Sequence, residues 1–178
     1  MNPFDIIDKY YPQDNELRRI LVVHSRKVAD KALQIAANHP ELRLDEEFLY
    51  EASMLHDIGI FKTHAPAIQC MGDAPYICHG YLGAELMRAE GFPRHADVCE
   101  HHTGAGISPE DIVRQQLPVP LRDMRPVTPE EIVVCLADKF FSKTRLEQEK
   151  TVEQARRSLE KFGEEGVKRF DCWCALYL

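Results

Sequence analysis

Histidines and aspartates that stand on apolar stretches are the residues of this chain best suited to chemistry. His56 and Asp57 lie side by side near the end of the apolar run 52–60. Burying an imidazole and a carboxylate without partners costs several kcal/mol, so we expect the pair to bind something. We interpret the pair as part of a metal centre. Gly59, two residues further on, is expected to end the helix and to open space beside the pair.

Three more candidate ligands lie on predicted helices. His24 belongs to a stripe of apolar residues spaced by three and four, which is typical of a buried helix face. A lone histidine on such a face is more often a hydrogen-bonded core residue, but the other candidates favour a ligand. Asp138 lies on a largely apolar helix, where an unpaired carboxylate would be costly. His79 lies in the first turn of another helix and faces whatever packs against that end.

The last candidate ligand is either His101 or His102. Neighbouring helical positions point about 100° apart, so either residue could be the one that faces inward. His102 continues the row formed by His95 and Cys99, and on this ground we favour His102.

Together the candidates supply imidazole and carboxylate ligands without thiolate. Such a set suits one or two divalent ions of Mn, Fe, Co, Ni, Zn or Mg and does not choose among them. Two ions about 3.5–4 Å apart would share the carboxylate of Asp57. One ion would be completed by His24, His56 and Asp138, and the other by His79 and His102.

Basic residues follow both ends of this ligand set. Lys62 and His64 come just after the His-Asp pair, and we predict catalytic roles for them beside Asp57. Lys143 and Arg145 come just after Asp138 and are predicted to bind substrate phosphate. For any single one of these residues a solvated surface position is the competing interpretation.

Apolar residues recur mostly at spacings of three and four, which predicts an all-α protein. We expect N-caps at Asp14 or Asn15, and at Asp45, Ser108, Thr128 and Thr151. Residues 61–78, which contain Pro66, Gly72, Asp73 and Pro75, are expected to form a loop with at most a short helical turn.

Length and composition limit the class of protein. With 178 residues, 44% of them hydrophobic, the chain fits one domain, with a core at about 15–146 and a helical extension at about 151–178. The net charge of −7 argues against a nucleic-acid polymer or an anionic membrane as partner. The start lacks a signal peptide pattern, so we expect a cytoplasmic protein with reduced cysteines. The apolar end, 173–178, could dock on the domain or on a second subunit as a homodimer.

The motifs, taken in order, resemble the signature of the HD superfamily of metal-dependent phosphohydrolases. The resemblance is carried by His24, by His-Asp-Ile-Gly at 56–59 and by Asp138. It continues through 79–86, 100–107 and 130–138, and it covers roughly residues 15–146. Small stand-alone HDIG-domain hydrolases are the members that the chain resembles most.

This resemblance implies an all-α bundle with the metal site between its central helices. It implies hydrolysis of a phosphate ester or anhydride by metal-activated water. It also supports His102 over His101, because one histidine of that pattern precedes the Gly-Ala-Gly-Ile run with a single residue between them.

Details of the motifs point toward a nucleotide or a related small molecule as substrate. The Gly-Tyr-Pro element of cyclic-di-GMP phosphodiesterases is missing after the paired histidines, which disfavours that activity. His-Thr at 102–103 is similar to the symmetrical dinucleoside-tetraphosphatases of the superfamily. Ile60 replaces a lysine that often follows the His-Asp-Ile-Gly motif, which leaves Lys62 as its stand-in. The alternatives are a di-iron oxygenase on the same scaffold and a non-catalytic sensor of metal or nucleotide.

Overall fold

Most helices of this protein begin where a small polar side chain can accept hydrogen bonds from the first turn. The computed structural model describes residues 1–178. Its nine α-helices are α1 (Pro3–Tyr10), α2 (Glu16–Asn38), α3 (Glu46–Leu55), α4 (His79–Ala89), α5 (Pro93–His101), α6 (Pro109–Gln115), α7 (Pro129–Asp138), α8 (Val152–Leu159) and α9 (Glu164–Tyr177). The predicted all-α fold is confirmed.

The caps explain these boundaries. Asn15 and Asp45 each accept a hydrogen bond from a backbone N–H in the first turn of α2 and α3. Ser108, Thr128 and Thr151 form complete capping boxes at α6, α7 and α8, in which the third helical residue bonds back to the cap. All five were predicted as N-caps, and the choice between Asp14 and Asn15 falls on Asn15.

Residues 61–78 hold more structure than the predicted loop. Strand β1 (Thr63–Ala65) pairs antiparallel with β2 (Cys70–Met71) and parallel with β3 (Ala74–Pro75). Short 3-10 helices at Ile60–Lys62, Pro66–Ile68 and Tyr76–Cys78 connect these strands. Strands of two or three residues are too short to show an alternating pattern, which is why the sequence did not indicate them.

The helices that surround the candidate site pack directly against one another. Helix α2 packs against α3 and α7, while α5 packs against α3, α4 and α7. The largest buried cluster joins α2, α3 and α7 with the C-terminal helices. A second cluster lies around α1, α3 and α4 and includes the fully buried Leu21, Leu55 and Ile58.

The C-terminal helices α8 and α9 belong to the larger cluster. Leu159 and Phe170 are only 1% and 0% exposed, and both belong to the buried cluster that contains residues of α7. The guanidinium of Arg169 donates to the carbonyl oxygens of Ala105 and Gly106, at 2.8 and 2.9 Å. The segment after residue 151 is therefore fixed to the larger core cluster and to the loop that follows His102. No helix of the chain is both long enough and apolar enough to cross a bilayer.

Gly59 has a different role from the predicted one. Helix α3 ends at Leu55, four residues before Gly59, and the φ angle of Gly59 is −84°, which any residue can adopt. A Cβ atom at Gly59 would lie 2.4 Å from the amide nitrogen of Gly83 and 2.4 Å from the carbonyl oxygen of His79. Gly59 thus permits close packing against α4, and it neither ends the helix nor opens a space.

Candidate metal centre

Five helices deliver the six predicted ligand residues to one buried place. His24 lies in the middle of α2, and His79 and Asp138 are end residues of α4 and α7. The pair 56–57 directly follows α3, and His102 directly follows α5. All six side chains belong to buried residues, and Asp138 is the most exposed of them at 9%. Their ligand atoms form two sets that share Asp57.

The first set consists of His24, His56, Asp57 and Asp138. Nε2 of His24 lies 2.9 Å from Oδ1 of Asp138 and 3.2 Å from Oδ2 of Asp57. Nε2 of His56 lies 3.1 Å from Oδ2 of Asp57 and 3.5 Å from Oδ1 of Asp138. Two imidazole nitrogens and two carboxylate oxygens therefore face one another across a space of ionic size.

The second set uses the other oxygen of the shared carboxylate. Oδ1 of Asp57 lies 3.4 Å from Nε2 of His79 and 3.4 Å from Nε2 of His102. These two nitrogens are 3.0 Å apart. The two oxygens of Asp57 thus point to different groups of histidines, so this carboxylate belongs to both candidate sets.

Hydrogen bonds to the backbone fix the orientation of three histidine rings. Nδ1 of His56, His79 and His102 donates to the carbonyl oxygen three residues earlier, at 2.6, 2.7 and 2.7 Å. A neutral imidazole that carries its proton on Nδ1 has a lone pair on Nε2. All three rings therefore turn Nε2 toward the centre, and this is the nitrogen through which a histidine held at Nδ1 ligates a metal.

The donor set fits divalent metal ions. The facing Nε2 atoms of His79 and His102 are both acceptors in these tautomers, so they repel each other without a cation or proton between them. Nε2 of His56 and Oδ1 of Asp57 are buried without a hydrogen-bond partner. Buried polar atoms of this kind normally have partners. The arrangement can hold a divalent ion with nitrogen and oxygen ligands.

The charges of the centre also favour a cation. Burial opposes ionisation of Asp57, but Lys143 and His56 outweigh it and hold the pKa of Asp57 well below its usual range. Burial likewise lowers the pKa of His56, but the neighbouring Asp57 and Asp138 raise that pKa to about 9. The carboxylates therefore stay charged and attract positive charge to the centre. Burial, together with His102, lowers the pKa of His79 to about 3, which keeps that ring neutral and able to ligate.

A cavity of about 450 Å³ opens onto the centre. Its lining includes three of the proposed ligands, His79, His102 and Asp138. The cationic lining residues are Lys139, Lys143, Lys150 and Lys161. A small molecule in this cavity would contact both the metal ligands and these ammonium groups.

Of the predicted basic residues, the structure brings Lys143 to the centre. Its Nζ lies 2.6 Å from Oδ2 of Asp57, and its side chain lines the cavity. Lys62, His64 and Arg145 are not among the lining residues. His64 is exposed because it alternates with the buried Thr63 along β1. Lys62 ends the 3-10 helix that precedes this strand, and the catalytic roles of Lys62 and His64 stay predictions.

Arg145 is exposed and borders a separate polar depression beside the cavity. Sequence analysis missed Tyr76, whose ring stacks on His79 with centroids 4.6 Å apart. Lys139, which follows Asp138, is buried and donates to Oδ2 of Asp138 at 2.8 Å and to the carbonyl oxygen of His102 at 2.9 Å. His101 turns away from the centre and pairs with Glu131 at 2.6 Å.

Comparison with known proteins identifies matches over most of the chain. A family model for the HD domain matches residues 21–142. The uncharacterized protein MJ0778 of Methanocaldococcus jannaschii is 32% identical over 145 residues, which are 79% of this chain and 78% of that protein. The HD domain of the phosphodiesterase PgpH from L. monocytogenes has a similar fold, with a TM-score of 0.56 and 16% identity over 98% of this chain and 96% of that chain.

Two relatives are longer proteins. The tRNA (cytidine(56)-2'-O)-methyltransferases of Picrophilus torridus and Thermoplasma volcanium are 30% and 31% identical over 78% and 86% of this chain. This chain spans only 39% and 40% of their lengths. The match therefore covers a part of each methyltransferase, and the activity in their names belongs to the whole proteins.

Proposed function

This chain belongs to the HD domain family, and from that premise we propose that it is a metal-dependent phosphohydrolase. Its substrate would be a phosphate ester or anhydride of a nucleotide or a related small molecule. The observation that carries the proposal is the division of six buried ligand residues into two sets that share Asp57. A lysine-lined cavity opens directly onto these sets.

Each ligand residue has a position consistent with this reaction. His24, His56 and Asp138 would hold one ion, and His79 and His102 the other, with one oxygen of Asp57 directed at each. When bound, divalent ions would supply Lewis acidity, which polarises a phosphoryl oxygen and lowers the pKa of bound water toward neutrality. The backbone hydrogen bonds at Nδ1 hold three of the imidazoles in the tautomer that this binding needs.

The lysines next to the centre would stabilise the negative charge of the phosphoryl group or position the metal ligands. Lys143 contacts Asp57 and lines the cavity, so its ammonium can move onto a non-bridging oxygen of the substrate. Fixed positive charge at that place stabilises the charge that develops in the transition state. Lys139 is a positioning residue, because it ties the carboxylate of Asp138 to the carbonyl of His102 and so joins the two ligand sets.

Metal content and turnover together test this function. Protein purified without chelator should contain one or two divalent ions per chain and should hydrolyse at least one member of a panel of nucleotides and phosphoesters. Asp57→Asn should lose metal and activity, because it weakens the ligand common to both sets. Asp30→Asn makes the same chemical change at an exposed position and should behave as the parent protein.

Three outcomes would contradict the proposal. Full metal content and full activity in the Asp57→Asn variant would show that Asp57 is not the shared metal ligand. A metal-loaded protein that hydrolyses no member of the panel but is stabilised by nucleotides would favour a sensor. Turnover that requires dioxygen would favour the oxygenase alternative, whereas turnover of a phosphoester without oxygen would exclude that chemistry for the observed activity.

A further inference from the structure

The four lysines of the cavity differ in how their charge is neutralised. Lys139 pairs with Asp138 at 2.8 Å, and Lys143 pairs with Asp57 at 2.6 Å. Lys150 and Lys161 line the same cavity but have no carboxylate oxygen within 4.0 Å of their Nζ atoms. The part of the cavity next to these two residues therefore carries unneutralised positive charge.

The surroundings of Lys150 show this excess of charge. Burial lowers the pKa of Lys150, and the ammonium groups of Lys139 and Lys161 add to the effect, against the opposing attraction of Asp138. A cation that is partly buried among other cations gains stability when an anion binds beside it. The partly buried ammonium of Lys150 thus has no carboxylate partner, and the exposed Lys161 adds a second unpaired ammonium to the same cavity.

Backbone contacts hold both lysines at the cavity wall. The backbone N–H of Lys150 donates to the carbonyl oxygen of Phe140 at 2.8 Å, just beyond the end of α7. Lys161 lies in a 3-10 helix at Glu160–Phe162. That turn is fixed because the carbonyl oxygen of Phe162 accepts from Nε2 of Gln115 at 3.1 Å, while the ring of Phe162 lies against Gly104.

The size and lining of the cavity suit more than a single phosphate. Its volume of about 450 Å³ falls within the range of sites that enclose whole small molecules, about 300–1,000 Å³. Hydroxyl groups that can donate to phosphate oxygens also line it, from Ser142 and Thr144. The rings of Phe141 and Phe162 add apolar surface between the charged groups.

We propose that Lys150 and Lys161 form a subsite for a second anionic group of the substrate. The preferred substrates would carry one phosphoryl group for the metal centre and a further phosphate for these two lysines. The subsite deepens the proposed function and rests on it. Both residues lie beyond 142, the last residue matched by the HD domain model, so this selectivity would come from the C-terminal segment of this chain.

Binding of inorganic tripolyphosphate and orthophosphate to the metal-loaded protein tests the subsite directly. Calorimetric titration should show that the parent protein binds tripolyphosphate at least about tenfold more tightly than orthophosphate, since hydrogen bonds to charged groups are strong. The double variant Lys150→Gln with Lys161→Gln should lose most of that advantage and keep its affinity for orthophosphate. Lys168→Gln, an exposed lysine of α9, should leave both affinities unchanged. Metal content is measured after each titration, because tripolyphosphate also binds free ions.

Steady-state kinetics of the double variant provide a second test of the subsite. For a phosphoester with a second phosphate, the double variant should raise KM about tenfold or more and keep kcat, while a monophosphate should show no change. Equal tripolyphosphate affinity in parent and double variant, or an equal loss for both anions, would overturn the subsite. If tripolyphosphate binding depends on the lysines but no phosphoester is hydrolysed, the subsite stands and the proposed reaction fails.

Discussion

Replacing Gly59 by alanine tests whether close packing between the segment after α3 and helix α4 holds the metal ligands in place. A Cβ at Gly59 would lie 2.4 Å from two backbone atoms, the nitrogen of Gly83 and the carbonyl oxygen of His79. Both distances are about 1 Å shorter than ordinary contact, and neither atom belongs to a flexible side chain. The two segments must therefore move apart.

The size of the effect follows from this overlap. Overpacking of a buried contact costs typically about 1–3 kcal/mol, and we expect the upper end because backbone must shift. For a chain of this length about 1 kcal/mol corresponds to roughly 2–4 °C, so Gly59→Ala should melt about 5–10 °C below the parent protein. The shift also moves the backbone of His79, whose Nε2 lies 3.4 Å from Asp57. Metal content should therefore fall as well.

Thermal unfolding followed by circular dichroism, with metal analysis of the same samples, measures both effects. Gly166, which lies within α9, supplies the matched control Gly166→Ala, because a Cβ there would meet only the methyl group of Ala105, at 3.9 Å. Alanine is favoured over glycine inside a helix, so this variant should melt at or above the parent temperature. A Gly59→Ala protein that melts within about 1 °C of the parent and keeps its metal would refute the packing argument.

The remaining predictions concern charge and metal. The Lys143→Ala variant should keep its metal but lose about 100-fold in kcat, because the substitution removes one fixed charge beside the reacting phosphoryl group. A variant that loses metal but keeps the parent kcat per bound ion would contradict the proposed role of Lys143. Prolonged treatment with a chelator should lower the melting temperature, and added Mn²⁺ should restore it, because an ion at 100 times its Kd stabilises the fold by about 2.7 kcal/mol. Burial raises the pKa of Glu131, but the contact with His101 and the N–H of Val127 outweigh it and leave that pKa below 4.5. The stabilisation that this contact gives is thus fully present above pH 4.5 and is lost as the pH falls through the lower pKa of Glu131 in the folded protein. Glu131→Gln should therefore lower the free energy of unfolding, measured by urea titration, by about 1–2 kcal/mol at pH 7 and by much less near pH 3.

The helix starts could be predicted from the sequence because they depend on residues close to them along the chain. An N-cap acts on the turn that follows it, so residues such as Asp45 and Thr128 define helix starts without reference to the rest of the chain. The convergence of His24 and Asp138, which are 114 residues apart, was inferred from residue type on apolar faces and from the family resemblance. The structure brings these two side chains to hydrogen-bond distance.

Other features depend on contacts that the sequence does not display. Nearness along the chain suggested that His64 would reach the centre, but strand alternation turns it to solvent. Lys161 is far from the ligand motifs in sequence and reaches the cavity only because α8 packs into the core through Leu159. The role of Gly59 likewise depends on the position of α4, which no pattern around Gly59 reveals.

The delivery of the ligands by five different helices, from within or just after each helix, has a consequence for the lifetime of a bound ion. An ion held by His24, His56 and Asp138 would tie together segments from nearly the whole length of the family match. To leave, it must lose ligands that are buried in the same core that keeps the helices folded. The cavity lined by Asp138 is the route by which the ion would exchange with the surroundings, so the rate of exchange would depend on how easily this carboxylate and the more deeply buried histidines release it.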